Sequence, residues 1–249
     1  IPTFKFKRMK LKHIFLSIGI MLTNLIVASN FETDTFKTSS NKDVVITFIK
    51  HGSLMLTYEG MHIQVDPVMM FADYSTFPKA DFILITHEHG DHLDTKAIDN
   101  LTKENTRLIL NQSSRDIISK GDVMKNGDKL QLKEDIHLEA FPAYNTTEGR
   151  EKFHPLHRDN GYILTIDGLR IYIAGDTEDI PELWDLKNID VAFLPVNQPY
   201  TMTVEQAVNA AGMFSPKVLY PYHFGDTYVN LLKTKLQNTD IEVRIRKME

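Results

Sequence analysis

Three histidines and two carboxylates crowd into six residues at His87-Glu88-His89-Gly90-Asp91-His92. Side chains alternate along extended backbone, so His87 and His89 point the same way and can grip one metal ion. Asp91 and His92 lie past a bend at Gly90, a residue type that permits conformations others resist, and can face a second ion. The chain has no cysteine, which removes thiolate sites, iron–sulfur clusters, disulfides and cysteine nucleophiles together. Imidazole and carboxylate donors suit zinc, manganese or iron. Two such ions roughly 3.5–4 Å apart lower the pKa of a shared water and polarise the bond under attack. The plainer reading is a solvated loop that happens to be rich in histidine. So many ligand types directly behind an apolar run argue against it.

That run, residues 82–85, is continuous and apolar, as in a strand buried on both faces. Before it, residues 44–49, 53–58 and 62–65 read as short strands, with Glu59-Gly60 as a turn. After it come helical character at 94–101, a strand at 108–110 and a helix at 113–120. The second half repeats this order. Residues 130–132, 136–141, 161–166 and 169–174 read as strands, and Asp167-Gly168 is a hairpin turn signal. A strand at 191–195, a helix at 204–214, a strand at 218–220, a helix at 228–237 and a final run at 241–246 follow. Strands then helices, twice over, fit two sheets packed face to face with helices outside. This is an α+β fold, a four-layer αβ/βα sandwich.

The histidine-rich segment matches the His-x-His-x-Asp-His signature of the metallo-β-lactamase superfamily, and the resemblance extends over most of residues 44–226. His51-Gly52-Ser53, Asp66-Pro67, Tyr144-Asn145, His154-Pro155, Gly175-Asp176-Thr177, Tyr200-Thr201-Met202 and Tyr222-His223 resemble one branch in order and spacing. That branch contains ascorbate-phosphate lactonase-like and N-acyl-phosphatidylethanolamine phospholipase D-like enzymes. The resemblance implies two divalent metal ions, zinc first among them with manganese or iron as alternatives. His87, His89 and His154 would hold one, Asp91, His92 and His223 the other, and Asp176 would bridge them. Asp91 and Asp176 are the residues implied in catalysis, Asp91 as proton acceptor through an activated water.

Each assignment has a competitor. His157 lies in the same segment, Phe153-His154-Pro155-Leu156-His157; His154 is favoured as ligand because it fills the family's His-Pro position, and His157 lines the pocket or is exposed. Asp176 stands in a common turn sequence, and His223 sits among aromatics where core histidines are found. Asp66 is expected to orient a ligand histidine from behind, with a cap as the alternative. His51 is a weaker candidate for the same role, because Lys50 stands where the branch usually has glycine. Tyr144 and Tyr200 are candidates for holding a substrate group, or for packing under a loop. Glu88 points away from the ligands and is structural.

The N-terminus differs from the rest. Lys10, Leu11, Lys12 and His13 precede an apolar stretch, residues 14–28, ending in small residues, which is a secretory signal pattern. We therefore expect residues 1–29 to be an extension and cleaved signal with Met9 as its start, residues 30–43 a polar linker, and 44–249 the hydrolase domain. The expected location is periplasmic or secreted, with no stable membrane span after cleavage. The net charge is −5, and the five basic residues before position 30 are matched by no acid there, so the remainder is more acidic still. That argues against nucleic acid, whose binders neutralise phosphates with Lys and Arg, and for a small-molecule substrate. An ester, lactone or phosphodiester is expected. An iron-dependent oxidoreductase resembling persulfide dioxygenases, a true β-lactamase and a metal-stabilised binding protein are the other classes open to this motif.

Overall fold

The computed structural model describes residues 31–249, so the expected signal at 1–29 lies outside the described residues. Two seven-stranded sheets carry the chain. In the first, β1 (Glu32–Lys37), β2 (Asp43–Lys50), β3 (Ser53–Tyr58) and β4 (Met61–Val65) run antiparallel. β5 (Phe82–Leu84), β6 (Arg107–Leu110) and β7 (Asp122–Val123) then continue parallel to β4. The second sheet repeats the plan. β8 (Lys129–Lys133), β9 (Ile136–Ala143), β10 (Asp159–Ile166) and β11 (Leu169–Ile173) are antiparallel. β12 (Val191–Pro195), β13 (Val218–Tyr222) and β14 (Glu242–Val243) follow in parallel.

The period of two divides the strands between layers. Leu54, Leu56 and Tyr58 of β3, with Phe82 and Leu84 of β5, enter the core between the sheets, whereas Met55 and Ile83 enter a second cluster on the outer face. Across the inner core, the Phe48 ring lies 4.8 Å from Tyr220 and 6.1 Å from Phe193, centroid to centroid. The outer cluster is covered by α1 (Thr95–Leu101) through Ala97, Ile98 and Leu101, with α2 (Gln112–Ile118) beside it. On the opposite side, Phe214 of α3 (Val204–Phe214) meets Tyr172 of β11 edge-on at 5.7 Å, and α4 (Asn230–Leu236) packs on α3. Helix, sheet, sheet, helix is the expected four-layer order. Among the described residues, no helix is long and apolar enough to cross a membrane.

Residues 30–43 do not form the expected linker. β1 lies within them and pairs with β2 at six positions, from Glu32 opposite Phe48 to Lys37 opposite Asp43. An edge strand needs little apolar patterning, and charge on it discourages pairing with other chains. Here the strand is fixed by Asp34, which Arg246 grips through both carboxylate oxygens at 2.8 and 2.7 Å. The two sheets are thus tied along one side by the chain's last residues.

Candidate metal centre

The site gathers where the parallel strands end. Asp66 follows β4, the histidine-rich loop follows β5, and Asp176, Asn197 and His223 follow β11, β12 and β13. Ligands in open α/β sheets collect at such carboxyl ends because the connecting loops converge there. The histidine-rich loop is pinned at its far end: the backbone N–H groups of His92 and Leu93 both donate to the His89 carbonyl, at 2.9 and 2.8 Å. Asp94 caps α1 by accepting from Lys96 N and Ala97 N, and its second oxygen accepts from Met69 N at 2.9 Å. Gly90 does not have the expected special role. Its φ lies outside the left-handed region, and a Cβ there would meet nothing within 4 Å. Gly52 is the glycine the loop requires, since a Cβ at that position would stand 2.8 Å from Cε1 of His92.

All seven implied ligands converge. His87 Nε2 lies 3.1 Å from His89 Nδ1, and His87, His89 and His154 form one group whose ligand atoms lie within 4.8 Å of one another. Asp91, His92 and His223 form another, joined by His51. Asp176 stands between the groups. Its Oδ2 is 3.5 Å from His154 Nε2 and 3.2 Å from His223 Nε2, and its Oδ1 is 3.4 Å from His92 Nε2. His92 Nε2, His223 Nε2 and Asp176 Oδ1 are buried without a hydrogen-bond partner among the described residues. An orphaned buried polar atom costs about 1–3 kcal/mol. Three aimed into one cluster are what bound cations would satisfy, and the donor set fits zinc, manganese or iron.

Behind the ligands stands a row of orienting groups. Asp66, fully buried, accepts from His92 Nδ1 at 2.8 Å. The Thr86 hydroxyl donates to the other side of this network, to Asp66 Oδ2 at 2.6 Å. Its one proton is thereby spent, so it accepts from His87 Nδ1 at 3.0 Å and leaves the Nε2 lone pair of His87 free for an ion. Asp159 does for His154 what Asp66 does for His92, accepting from Nδ1 at 2.9 Å, and is itself held by Arg158 at 2.7 Å. Arg158 also pairs with Glu88 at 2.9 Å, which explains why Glu88 faces away from the ligands. Sequence reasoning missed Thr86 and Asp159. Thr86 could have been suspected as the residue before the first ligand, whereas Asp159 carries no local signal.

The electrostatics agree with this geometry. Burial, reinforced by the neighbouring His92, holds His87 well below the ordinary imidazole range. Burial and His154 lower His89. Both are therefore neutral near pH 7, the state in which an imidazole can bind a metal ion. Burial opposes a charge on Asp176, but His223 and His92 outweigh it and keep the carboxyl well below its usual range. Burial likewise opposes a charge on His223, yet Asp176 and Asp91 push that imidazole up to about 10. A buried group so raised reports a strongly negative local potential, which favours a cation.

The remaining candidates separate. His51 joins the cluster: its Nε2 is 3.1 Å from Asp91 Oδ2 and its ring centroid 3.7 Å from that of His223. His51, Asp66 and His223 all have positive φ (57°, 42° and 50°), a strained conformation that clusters at functional sites. Tyr200 lines a cavity of about 320 Å³ over the ligands, together with Phe153 and Asn197. Tyr144 and His157 do not. The Tyr144 hydroxyl donates to Glu182 at 2.8 Å, and His157 is exposed beside a different cavity lined by Glu182 and Asn126. Tyr144 is thus held by the Pro181–Asp185 3-10 turn, and His157 faces a cavity between β9 and that turn.

The profile described as "Beta-lactamase superfamily domain" matches residues 45–223, from β2 to the last of these ligands. The chain belongs to the metallo-β-lactamase superfamily. It is similar to a crystal structure of a candidate metal-dependent hydrolase from Parabacteroides distasonis, at 65% identity and a TM-score of 0.87, covering 88% of this chain and 100% of that one. It is also similar to UPF0173 metal-dependent hydrolases. One, from Archaeoglobus fulgidus, is 30% identical over 224 residues, 81% of this chain and 95% of that protein. Another, from Flavobacterium johnsoniae, is 32% identical over 207 residues, 74% of this chain and 85% of that protein. The protein is a metal-dependent hydrolase of this superfamily.

Proposed function

We propose that this hydrolase works with a dinuclear centre and cuts an ester, lactone or phosphodiester bond in a small molecule. The observation that carries the reading is the placement of Asp176 between two groups of ligand atoms. His87, His89 and His154 would hold one ion, Asp91, His92 and His223 the other, with Asp176 shared and zinc the expected metal. When bound, the ions supply Lewis acidity and lower the pKa of water between them. The chain's own residues do the rest. Asp66, Thr86 and Asp159 fix the imidazoles in the tautomer whose free nitrogen faces the centre. The Asp91 side chain is partly open to solvent (39%), so it can take a proton from the attacking water and return it to the leaving oxygen. His51, against Asp91 and His223, holds that carboxylate in place.

The acidic balance of the chain supports a small-molecule substrate rather than nucleic acid. The basic and then apolar pattern before residue 30 supports export, with action in the periplasm or outside the cell. The decisive experiment is metal analysis of the purified chain, then turnover of phosphodiester, lactone and β-lactam probes with and without chelator. We expect about two equivalents of metal, and loss of turnover in His89→Ala and Asp176→Ala while the far-ultraviolet dichroism is kept. Full activity in both variants would refute the site.

A further inference from the structure

The cavity over the ligands has a wall that the metal chemistry does not use. Besides ligand side chains, it is lined by Phe153, Asn197 and Tyr200. The Phe153 and Tyr200 rings meet edge to face with centroids 5.1 Å apart, and Tyr200 remains 47% exposed. An aromatic pair left partly uncovered beside a reactive centre is an apolar surface that a substrate can bury.

Asn197, just past β12, supplies the polar part of the wall. Its backbone is locked: its N–H donates to Thr201 Oγ1 at 2.8 Å, and its carbonyl accepts from Tyr200 N at 3.0 Å and Thr201 N at 2.8 Å. Among the described residues, no protein group hydrogen-bonds its carboxamide, which leans over Gly225. It is a rigidly mounted donor without a partner. The arginines of the neighbouring loop are engaged elsewhere. Arg150 pairs with Glu178 and Arg158 with Glu88 and Asp159. The Lys152 ammonium lies over the Phe153 ring, 5.1 Å from its centroid, and does not itself line the cavity. Charged phosphate or carboxylate substituents are recognised by Arg and Lys. This wall offers instead two aromatic rings and one amide.

Resting on the hydrolase reading, we propose that the substrates are uncharged carboxylic esters or lactones. Their aryl or alkyl substituent packs on Phe153 and Tyr200, and Asn197 Nδ2–H donates to the carbonyl oxygen of the scissile bond. The water oxygen bonds to the acyl carbon and the acyl C–O bond breaks. One water proton passes by way of Asp91 to the departing oxygen, leaving a carboxylic acid and an alcohol, on one molecule when the substrate is a lactone. No redox partner is needed.

The test uses the metal-loaded full chain with p-nitrophenyl butyrate, dihydrocoumarin, methyl butyrate and bis(p-nitrophenyl) phosphate. Aryl ester and aryl lactone are expected to lead in kcat/KM. Tyr200→Ala and Phe153→Ala should lower the ratio of aryl to methyl ester kcat/KM about tenfold, through KM. Asn197→Asp, which keeps the shape and loses the donor, should lower kcat roughly 100-fold, in the range of an oxyanion-hole deletion. A chelator-sensitive phosphodiesterase whose rate ignores these variants overturns the proposal and leaves the hydrolase reading standing. If no probe is cleaved, the ester, lactone and phosphodiester reading falls, and saturation-transfer NMR with butyranilide, an uncharged amide analogue, still decides the wall. Saturation of its aryl protons that is lost in Tyr200→Ala supports the wall, and no saturation with the unaltered chain overturns it.

Discussion

Asp66 Oδ2 stands 2.8 Å from His92 Nδ1, and neither side chain is reached by solvent. The same carboxylate accepts from the Thr86 backbone N–H at 2.8 Å and from its hydroxyl at 2.6 Å. One buried group therefore sets the ring orientation of His92 and, through Thr86, of His87, whose ligand atoms also gather with those of Asp176. It is placed by the end of β4, in a left-handed conformation that brings the carboxylate beneath the loop.

Asp66→Ala should weaken metal binding roughly 10- to 100-fold, the usual effect of removing an outer partner of a ligating imidazole. Titration calorimetry with zinc, against a matched measurement of His89→Ala, checks this. An unchanged affinity would show that packing alone orients His92.

Gly52 and Gly90 make opposite predictions. At position 52 a Cβ would meet the His92 ring at 2.8 Å, and the ring cannot retreat because Asp66 holds it. Gly52→Ala should cost about 1–3 kcal/mol, as overpacking does, and reduce metal content. Gly90→Ala should fall within about 0.5 kcal/mol of the unaltered chain. Thermal unfolding and metal analysis of the two variants side by side separate them.

Asp34 ties β1 to the chain's last residues and gives the fold a pH dependence. Burial would raise its carboxyl, but the bonds from Arg246 and Tyr220 and the charge of Arg244 outweigh it and lower the pKa. A depressed carboxyl stabilises the fold above its unfolded value and loses that contribution as pH falls through the folded value. Asp34→Asn should therefore destabilise by about 1.5–3 kcal/mol near neutral pH. The gap should begin to narrow below about pH 4, the unfolded carboxyl value, and close only below the lowered folded value. Denaturant titrations at pH 7 and pH 3 test it, and a gap as large at pH 3 as at pH 7 would rule out the ion pair as its source.

Glu178 is fully buried two residues beyond Asp176 and accepts from Thr146 N at 2.8 Å and Thr147 N at 2.6 Å, with Arg150 at 3.4 Å. It anchors the loop that carries Phe153 and His154. Glu178→Ala should cost about 3–5 kcal/mol, because Arg150 and two amides lose their partner. Proteolytic nicking between residues 146 and 152 should appear first. Glu178→Gln keeps an acceptor for the amides and should be cut more slowly. Equal cleavage of both variants and the unaltered chain would dissociate Glu178 from the loop.

The contiguous candidate ligands were legible because four of them follow one another behind a strand whose apolar run announces burial. The layer order was legible too, since the period of two and the turn at Asp167-Gly168 are local. β1 was not. The segment Glu32–Lys37 is polar on its exposed positions, and what holds Asp34 in place is Arg246, 212 residues later. His154 and His157 looked alike in sequence. Only the fold showed that Asp159 and Arg158 turn the first toward Asp176 and leave the second exposed.

The sequence by itself determined the donors on offer: histidine and carboxylate side chains, no thiolate, and four candidate ligands from one short loop. Tertiary structure decided which distant residues complete them. Asp176 and His223 follow two strands of the second sheet, and their approach to the histidine-rich loop of the first depends on how the two sheets pack. Contacts between residues far apart in the chain leave no local pattern to read, because the constraint on each side chain is set by its partners in space. Tyr144 shows the same rule from the other side. Its position in the chain suggested the pocket, and the packing of its loop gave its hydroxyl to Glu182 instead.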